Sequence, residues 1–214
     1  MNKIPDSEEK EISSWDRQYQ KKVKITYPKN FKELKSIIFY LKKEKNSYII
    51  RTGECSYNSK SMPGNDNTYV ISLKNFNKII SVNKKTIEVE AGTLIRDIVK
   101  KIKIKKLSLH SIPGGSEISI GGAISANVIG KDSNPTYACF GDAIESLDIL
   151  KENGSIIRIK KNEKNFYKYI GAFGFSGIIL AAKLQVKKLK SQNLRLETHL
   201  INNINDLVKE LKKK

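Results

Sequence analysis

Histidine and cysteine are nearly absent, with two of each in 214 residues. His110 and His199 do not make a zinc site, and no nucleophile–histidine pair can be built on them. Cys55 and Cys139 are too few for a disulfide framework and lack metal-ligand spacing. No apolar run approaches the roughly 20 residues of a membrane helix. The opening segment, MNKIPDSEEKEIS, has no apolar h-region and does not read as a secretory signal. Two nucleotide motifs are also missing. The nearest approach to a P-loop ends in Gly130-Lys131-Asp132, but Ser125 stands where its first glycine belongs and no Ser or Thr follows the lysine. Gly171, Gly174 and Gly177 are spaced by three and precede a strand, so they are not a Rossmann fingerprint.

Arginine is scarce as well. Lys+Arg is 40 against 22 Asp+Glu, a formal net charge of +18, yet only Arg17, Arg51, Arg96, Arg158 and Arg195 are arginine. Sequence-reading of nucleic acid leans on the bidentate fork of arginine. The lysine excess, with Ile and Asn alongside it, reads mainly as solvated lysine faces. Nucleic acid is disfavoured as a partner, while an anionic substrate or an anionic membrane surface stays open. A hydrophobic content of 39% and a charged content of 29% fit a soluble, polar globular protein. The length suffices for one large domain or two small ones.

Periodicity predicts an α+β chain. Residues 1–24 read as an extended lead-in holding the lone Trp15. Asn30 with Glu33 forms a helix start, and Phe31, Leu34, Ile37, Ile38 and Leu41 repeat at helical spacing. Strands are predicted at 47–51, 69–73, 79–82 and 86–90, with Ile87, Val89 and Ala91 on one face. Gly92-Thr93 opens a second helix. Residues 144–150 and 156–159 flank Asn153-Gly154, the strongest short hairpin signal. A short helix near 163–169, a long apolar strand at 178–186, a strand at 194–201 and a helix from 204 complete the pattern. A boundary is expected near residue 84. The final strand and helix read as the opening of something that does not continue.

Between these elements lie three glycine-bearing loops: 51–58, 113–122 and 171–177. The stretch SIPGGSEISIGGAISANVIGK, residues 111–131, holds two glycine pairs seven residues apart. Glycine permits close approach of backbone to a ligand, and concave backbone N–H groups bind anions such as a diphosphate. Two tight turns flanking a strand explain the same pattern equally well.

The loops in their order resemble the FAD-binding domain of the vanillyl-alcohol-oxidase/p-cresol-methylhydroxylase family. The resemblance runs from about Trp15 to Leu189 and is nearest to the branch of decaprenylphosphoryl-ribose oxidase and the sugar-lactone oxidases. It rests on five matches: Arg51 to Tyr57, Val89 to Gly92, Pro113-Gly114-Gly115 through Ile124, Phe140-Gly141-Asp142 with the following hairpin, and Gly171 to Ile179. It implies a PCMH-type fold of two α/β subdomains, 1–84 and 85–190, with the flavin between them, and 191–214 as the start of a truncated substrate domain. It also implies a cofactor, FAD, held by Gly53, Glu54, Cys55, Ser56, Tyr57, Pro113, Gly114, Gly115, Ile118, Ser119, Gly121, Gly122, Ser125, Val128, Gly130 and Ile178. Ordinary core packing is an equal reading of Ile178. Lys131 is placed to meet an anionic substrate; a surface lysine is its plain alternative.

The departures from the family pattern are specific. Family members carry glycine one and three places after the loop arginine; here those places are Thr52 and Glu54, with glycine at Gly53. Cys55 occupies the position of the histidine in covalently flavinylated members. Ile129 stands where the sugar-oxidase branch has histidine before Gly-Lys. No catalytic base can be named. The resemblance implies an alcohol-oxidising flavoenzyme acting on a sugar or polyprenyl-phosphate sugar. The alternatives are an incomplete flavin-binding module needing a separate substrate-domain chain and, behind it, a basic nucleic-acid-binding domain. The UDP-sugar enoyl reductase of cell-wall synthesis shares the flavin fold. The expected location is cytoplasmic, with membrane-peripheral association left open.

Overall fold

The computed structural model describes residue 4, residues 7–191, residue 193 and residues 196–212. The expected lead-in is a hairpin wherever it falls within those residues. β1 (Ser7–Ser13) pairs antiparallel with β2 (Gln20–Thr26), Ser7 opposite Thr26. β1 buries only Ile12, so its charged sequence shows no alternation to read. α1 (Phe31–Lys43) begins as expected: Asn30 Oδ1 accepts the Glu33 N–H at 3.0 Å, and Glu33 Oε2 accepts the Lys29 N–H at 2.7 Å. Its inner face is Leu34, Ile37, Ile38 and Leu41.

β3 (Tyr48–Arg51) and β4 (Tyr69–Ser72) complete a sheet of order β1-β2-β4-β3, in which β4 runs parallel to both β2 and β3. α1 packs on this sheet against Ile71, Leu73 and Phe76, while Ile12, Val23, Ile25 and Val70 form a smaller separate cluster. Burying each large aliphatic side chain contributes about 1.5–3 kcal/mol, which sets the helix on the sheet firmly.

The second sheet is antiparallel, of order β11-β10-β12-β6-β5, from β5 (Ile79–Val82), β6 (Thr86–Glu90), β10 (Ile144–Leu150), β11 (Ile156–Lys160) and β12 (Ile178–Lys188). Between β6 and β10 the chain forms α2 (Ile95–Lys103), β7 (Leu107–Leu109), α3 (Ile120–Ser125) and the small hairpin β8 (Ile129–Asn134) and β9 (Tyr137–Cys139). β7 pairs with the far end of β12. The Asn153-Gly154 hairpin forms as read, with Gly154 at φ +79°. Ile178 and Leu180 of β12 lie in the first core, and Ile179, Leu184 and Val186 in the second, so one strand joins the two layers.

Three expectations are corrected. The helix near 163–169 is a single 3-10 turn, Phe166–Tyr169, anchored by fully buried Phe166. The strand at 194–201 does not form over its described residues 196–201, and Leu196 and Leu200 stand about nine-tenths exposed; Leu194 and Arg195 lie outside the described residues. The second glycine pair is the first turn of α3 rather than a bend. α4 (Ile204–Lys212) is the last described element and buries none of its side chains. No described helix is long and apolar enough to cross a membrane.

Candidate functional site

Loops 51–57 and 111–119 meet at one hydroxyl. Ser119 caps α3, its Oγ accepting the Gly122 N–H at 3.2 Å, and the same Oγ accepts the Gly53 N–H at 3.1 Å. It also shares a hydrogen bond with Thr52 Oγ1. A hydroxyl has two lone pairs and one proton. With both lone pairs taken by N–H groups, Ser119 donates its proton to Thr52. The Thr52 proton is then free, and Thr52 lines an open cleft of about 390 Å³. The seat is tight: a Cβ on Gly53 would lie 2.6 Å from both Glu117 O and Ser119 N.

Both loops leave backbone donors unspent; among the described residues the N–H groups of Gly114, Gly115, Ser116, Glu117 and Ile118 have no acceptor, whereas those opening α3 are used. Gly121 N–H goes to Ala91 O at 2.7 Å and Ala123 N–H to Ser119 O at 2.8 Å, while Gly122 serves the cap. Among the described residues, the N–H groups of Glu54, Cys55, Ser56 and Tyr57 have no acceptor. Glu54 turns the chain there with φ +58°. Consecutive N–H groups around a left-handed turn form an anion-binding concavity.

Of residues 54–57, Glu54 lines the cleft, which also gathers Lys10, Tyr27, Lys74, Arg96 and Glu117. Arg96 is tied to both oxygens of Glu117 at 2.7 and 2.6 Å. Lys10 Nζ donates to Tyr27 Oη at 3.3 Å, and Lys74 Nζ stands 3.8 Å from the Tyr27 ring centre. The bond to Tyr27 raises the Lys10 pKa, and burial raises that of Tyr27. Neither lysine has a carboxylate within ion-pair distance among the described residues. Beneath them Arg51, 3% exposed, donates from Nη2 to Ser13 O at 3.0 Å, while its Nε and Nη1 have no partner. Ser72 Oγ, in register with Arg51 on β4 and part of the cleft lining, is likewise buried and unpartnered.

The third loop hangs from α3. Gly171 N–H donates to Ile124 O at 3.0 Å and Phe173 N–H to Ser125 O at 2.9 Å. Lys60 Nζ lies 5.8 Å from the Phe173 ring, so the first and third loops face one another. Their rim is apolar and open: Tyr57 is 61%, Phe173 50% and Phe175 95% exposed.

Residues 24–160 match the FAD binding domain family. The chain belongs to that family. It is 27% identical over 122 residues to decaprenylphosphoryl-β-D-ribose oxidase of Mycolicibacterium smegmatis, covering 55% of this chain and 26% of that protein. A putative D-arabinono-1,4-lactone oxidase of Neurospora crassa is 31% identical over 116 residues, covering 52% and 20%. UDP-N-acetylenolpyruvoylglucosamine reductase of Streptococcus pyogenes is 25% identical over 192 residues, covering 87% and 61%. A solved alkyldihydroxyacetonephosphate synthase shares the fold, with a TM-score of 0.71 at 19% identity over 80% of this chain and 33% of that one. The chain thus spans less than two thirds of each of these proteins.

The FAD-binding domain fits its cofactor on this chain's own features. The free N–H groups of 54–57, the free Thr52 proton and the unpartnered Arg51 and Ser72 atoms all call for acceptors, which a diphosphate supplies. Several predicted site residues fall at the meeting of loops: Gly53, Ser119, Gly121 and Gly122 at the Ser119 knot, and Ser125 at the third loop. Gly114 carries Lys131 across it; a Cβ there would lie 3.0 Å from Lys131 Cε. Lys131 itself is exposed. Gly115 packs on Ile118, and Pro113 is buried beside them. Gly130 lets the chain cross Ser111 and Ile112, and Val128 packs on the second core. Ile178 is 7% exposed within the first core. Cys55 donates its thiol to Gly53 O at 3.1 Å, and burial, then Glu117 and Glu54, push its pKa up. Ile129 is 70% exposed. Sequence reasoning missed Thr52, Ser72, Lys10, Tyr27 and Lys74 as cleft residues. Thr52 sits inside the first glycine-bearing loop, whereas the first hairpin and the end of β4 bring in the other four without a glycine motif.

Proposed function

We propose that this chain is the flavin-holding portion of an oxidoreductase that oxidises an alcohol carbon of a sugar or polyprenyl-phosphate sugar. The carrying observation is the unspent donor set of Thr52 and residues 54–57 beside Lys10, Lys74 and Arg51. The diphosphate would lie there. The flavin ring would reach the rim of Tyr57, Phe173 and Phe175, between the expected subdomains 1–84 and 85–190, although β5 (Ile79–Val82) already pairs into the second sheet. FAD, when bound, supplies hydride chemistry at its ring; the protein supplies position and charge. Gly53, Ser119, Gly121, Gly122 and Ser125 hold the loops in register. Lys131, exposed beside Gly114, would meet an anionic substrate group. The open apolar rim supports a covering substrate domain, in the same protein or as a separate chain.

The relation to the enoyl reductase, which covers 87% of this chain, favours a second reading. The same flavin site would then serve reduction of a UDP-sugar enol ether.

Purification tests the first step. The expected protein is yellow, or takes up added FAD, and releases FAD on denaturation. Colourless protein that also refuses added FAD overturns the proposal. Anaerobic bleaching of the flavin by sugar alcohols supports the oxidase reading. Bleaching by a nicotinamide donor, with re-oxidation by the enol ether, supports the reductase.

A further inference from the structure

The lysine excess is uneven around the fold. Residues 84–85, 99–106 and 187–190 hold ten lysines and no carboxylate; the other thirty cations share the chain with all 22 acids. These three segments meet at one end of the second sheet. Lys85 O accepts the Val186 N–H at 2.8 Å, and Lys106 O accepts the Leu189 N–H at 2.8 Å. Lys188 lies opposite Leu107 in the β7–β12 pair. Of the ten lysines, only Lys187 makes an ion pair among the described residues, to Asp132 at 3.8 Å. The C-terminus of α2 favours cations through its dipole, which accounts for one segment but not the other two.

A hydrophobic residue sits amid this charge. In Lys-Ile-Lys-Ile-Lys-Lys, Ile102 is buried under α2 and Ile104 is 80% exposed. An exposed isoleucine ringed by lysines suits the boundary between lipid headgroups and acyl chains, where lysines meet anionic headgroups and the side chain leaves water. The three segments contain no arginine and no aromatic residue. They therefore lack the groups that fork to bases or stack on them.

We propose that this end of the second sheet docks peripherally on an anionic lipid surface, with Ile104 entering the headgroup boundary. The proposal uses none of the flavin-site residues and stands independently of that site.

Co-flotation of the full chain with vesicles tests it, using phosphatidylcholine alone and a phosphatidylcholine–phosphatidylserine mixture. Binding is expected only to the mixture, weakening as salt rises. Each lysine removed from the patch is expected to weaken binding about fivefold. The variant Lys101→Gln/Lys103→Gln/Lys105→Gln/Lys188→Gln should therefore lose binding. Lys29→Gln/Lys32→Gln/Lys35→Gln/Lys43→Gln, with the same net charge around α1, should keep it. Ile104→Ser should weaken binding with charge unchanged. Equal losses from both lysine sets overturn the proposal, because binding then follows net charge alone. Absence of binding to the mixture overturns it too, as does binding of duplex RNA or DNA at salt concentrations where the vesicles release the chain.

Discussion

The first two glycine-bearing loops use glycine toward different ends. In residues 111–123 Gly121 lets α3 close on the Ala91 backbone, Gly114 and Gly115 lie against the side chains of Lys131 and Ile118, and the N–H groups of Gly121, Gly122 and Ala123 are consumed by Ala91 and Ser119. In residues 51–57 a single glycine seats the loop on its neighbour, and the next four N–H groups are left without acceptors among the described residues. Among the described residues both loops leave donors over, the N–H groups of 54–57 in the first and of 114–118 in the second, while the glycine pair inside α3 is framework. A glycine count therefore points to where chains approach closely, without saying whether a ligand or another strand is what they approach.

The sharpest way to break this division is Gly53→Ala. The new Cβ would sit 2.6 Å from Glu117 O and Ser119 N, both backbone atoms that cannot swing aside. A loss of about 2–4 kcal/mol is expected, since neither loop can relax without losing the Ser119 bonds. FAD uptake, followed by flavin fluorescence quenching, should fall more than tenfold with it. Gly64→Ala is the matched control, because nothing lies within 4 Å of its Cβ. Chemical denaturation of both variants gives the difference directly.

Ser119→Ala removes the hub without adding bulk. Losing the cap costs about 1 kcal/mol, and leaving the Gly53 N–H unsatisfied costs about 1–3 more. A total of about 2–4 kcal/mol should appear in denaturant melts, and a loss under about 0.5 kcal/mol would remove Ser119 from its hub role. Thr52→Val separates framework from binding surface. It keeps the shape, leaves the Ser119 proton unpaired and removes the free Thr52 proton. Stability should fall by about 1 kcal/mol, while FAD affinity falls about five- to tenfold. Equal effects of Thr52→Val and Ser119→Ala on affinity per unit of lost stability would erase the distinction.

Much of this arrangement was legible in the residues, and the gaps have physical causes. Strands whose faces alternate, such as Thr86–Glu90, and the Asn153-Gly154 hairpin follow from pattern alone. β1 hid because six of its seven side chains are at least partly exposed, so pairing, and not burial, makes it a strand. α3 hid because Gly-Gly reads as a turn, although Ser119 before it carried the cap signal. The order of the loops pointed to FAD, yet Lys10, Tyr27 and Ser72 reach the cleft only through sheet pairing. β1 meets β2 across a short connection that carries no glycine turn signal, and the parallel pairing of β4 with β2 and β3 is long-range with no local signature. Arg51 was read as part of a motif; its burial with two unpartnered nitrogens emerges only when β3 ends beneath the loop.

Glu54 is where the first loop departs most from the second, and two variants divide its effects. It occupies a left-handed conformation, φ +58°, at the place where the resemblance expects glycine, and it lines the cleft proposed for the diphosphate. The left-handed region costs a residue with a Cβ about 1–2 kcal/mol, partly offset on substitution by the greater freedom of glycine in the unfolded chain. Glu54→Gly should thus stabilise the fold by about 0.5–1 kcal/mol and tighten FAD binding several-fold. Glu54→Gln keeps the strained backbone and removes only the charge. It should leave stability within about 0.5 kcal/mol of the parent and still tighten FAD, with the gain shrinking as added salt screens the cleft. If Glu54→Gln binds FAD no better than the parent while Glu54→Gly does, backbone geometry limits the loop. If both bind equally well, the carboxylate is what sets this loop apart from its glycine-bearing relatives.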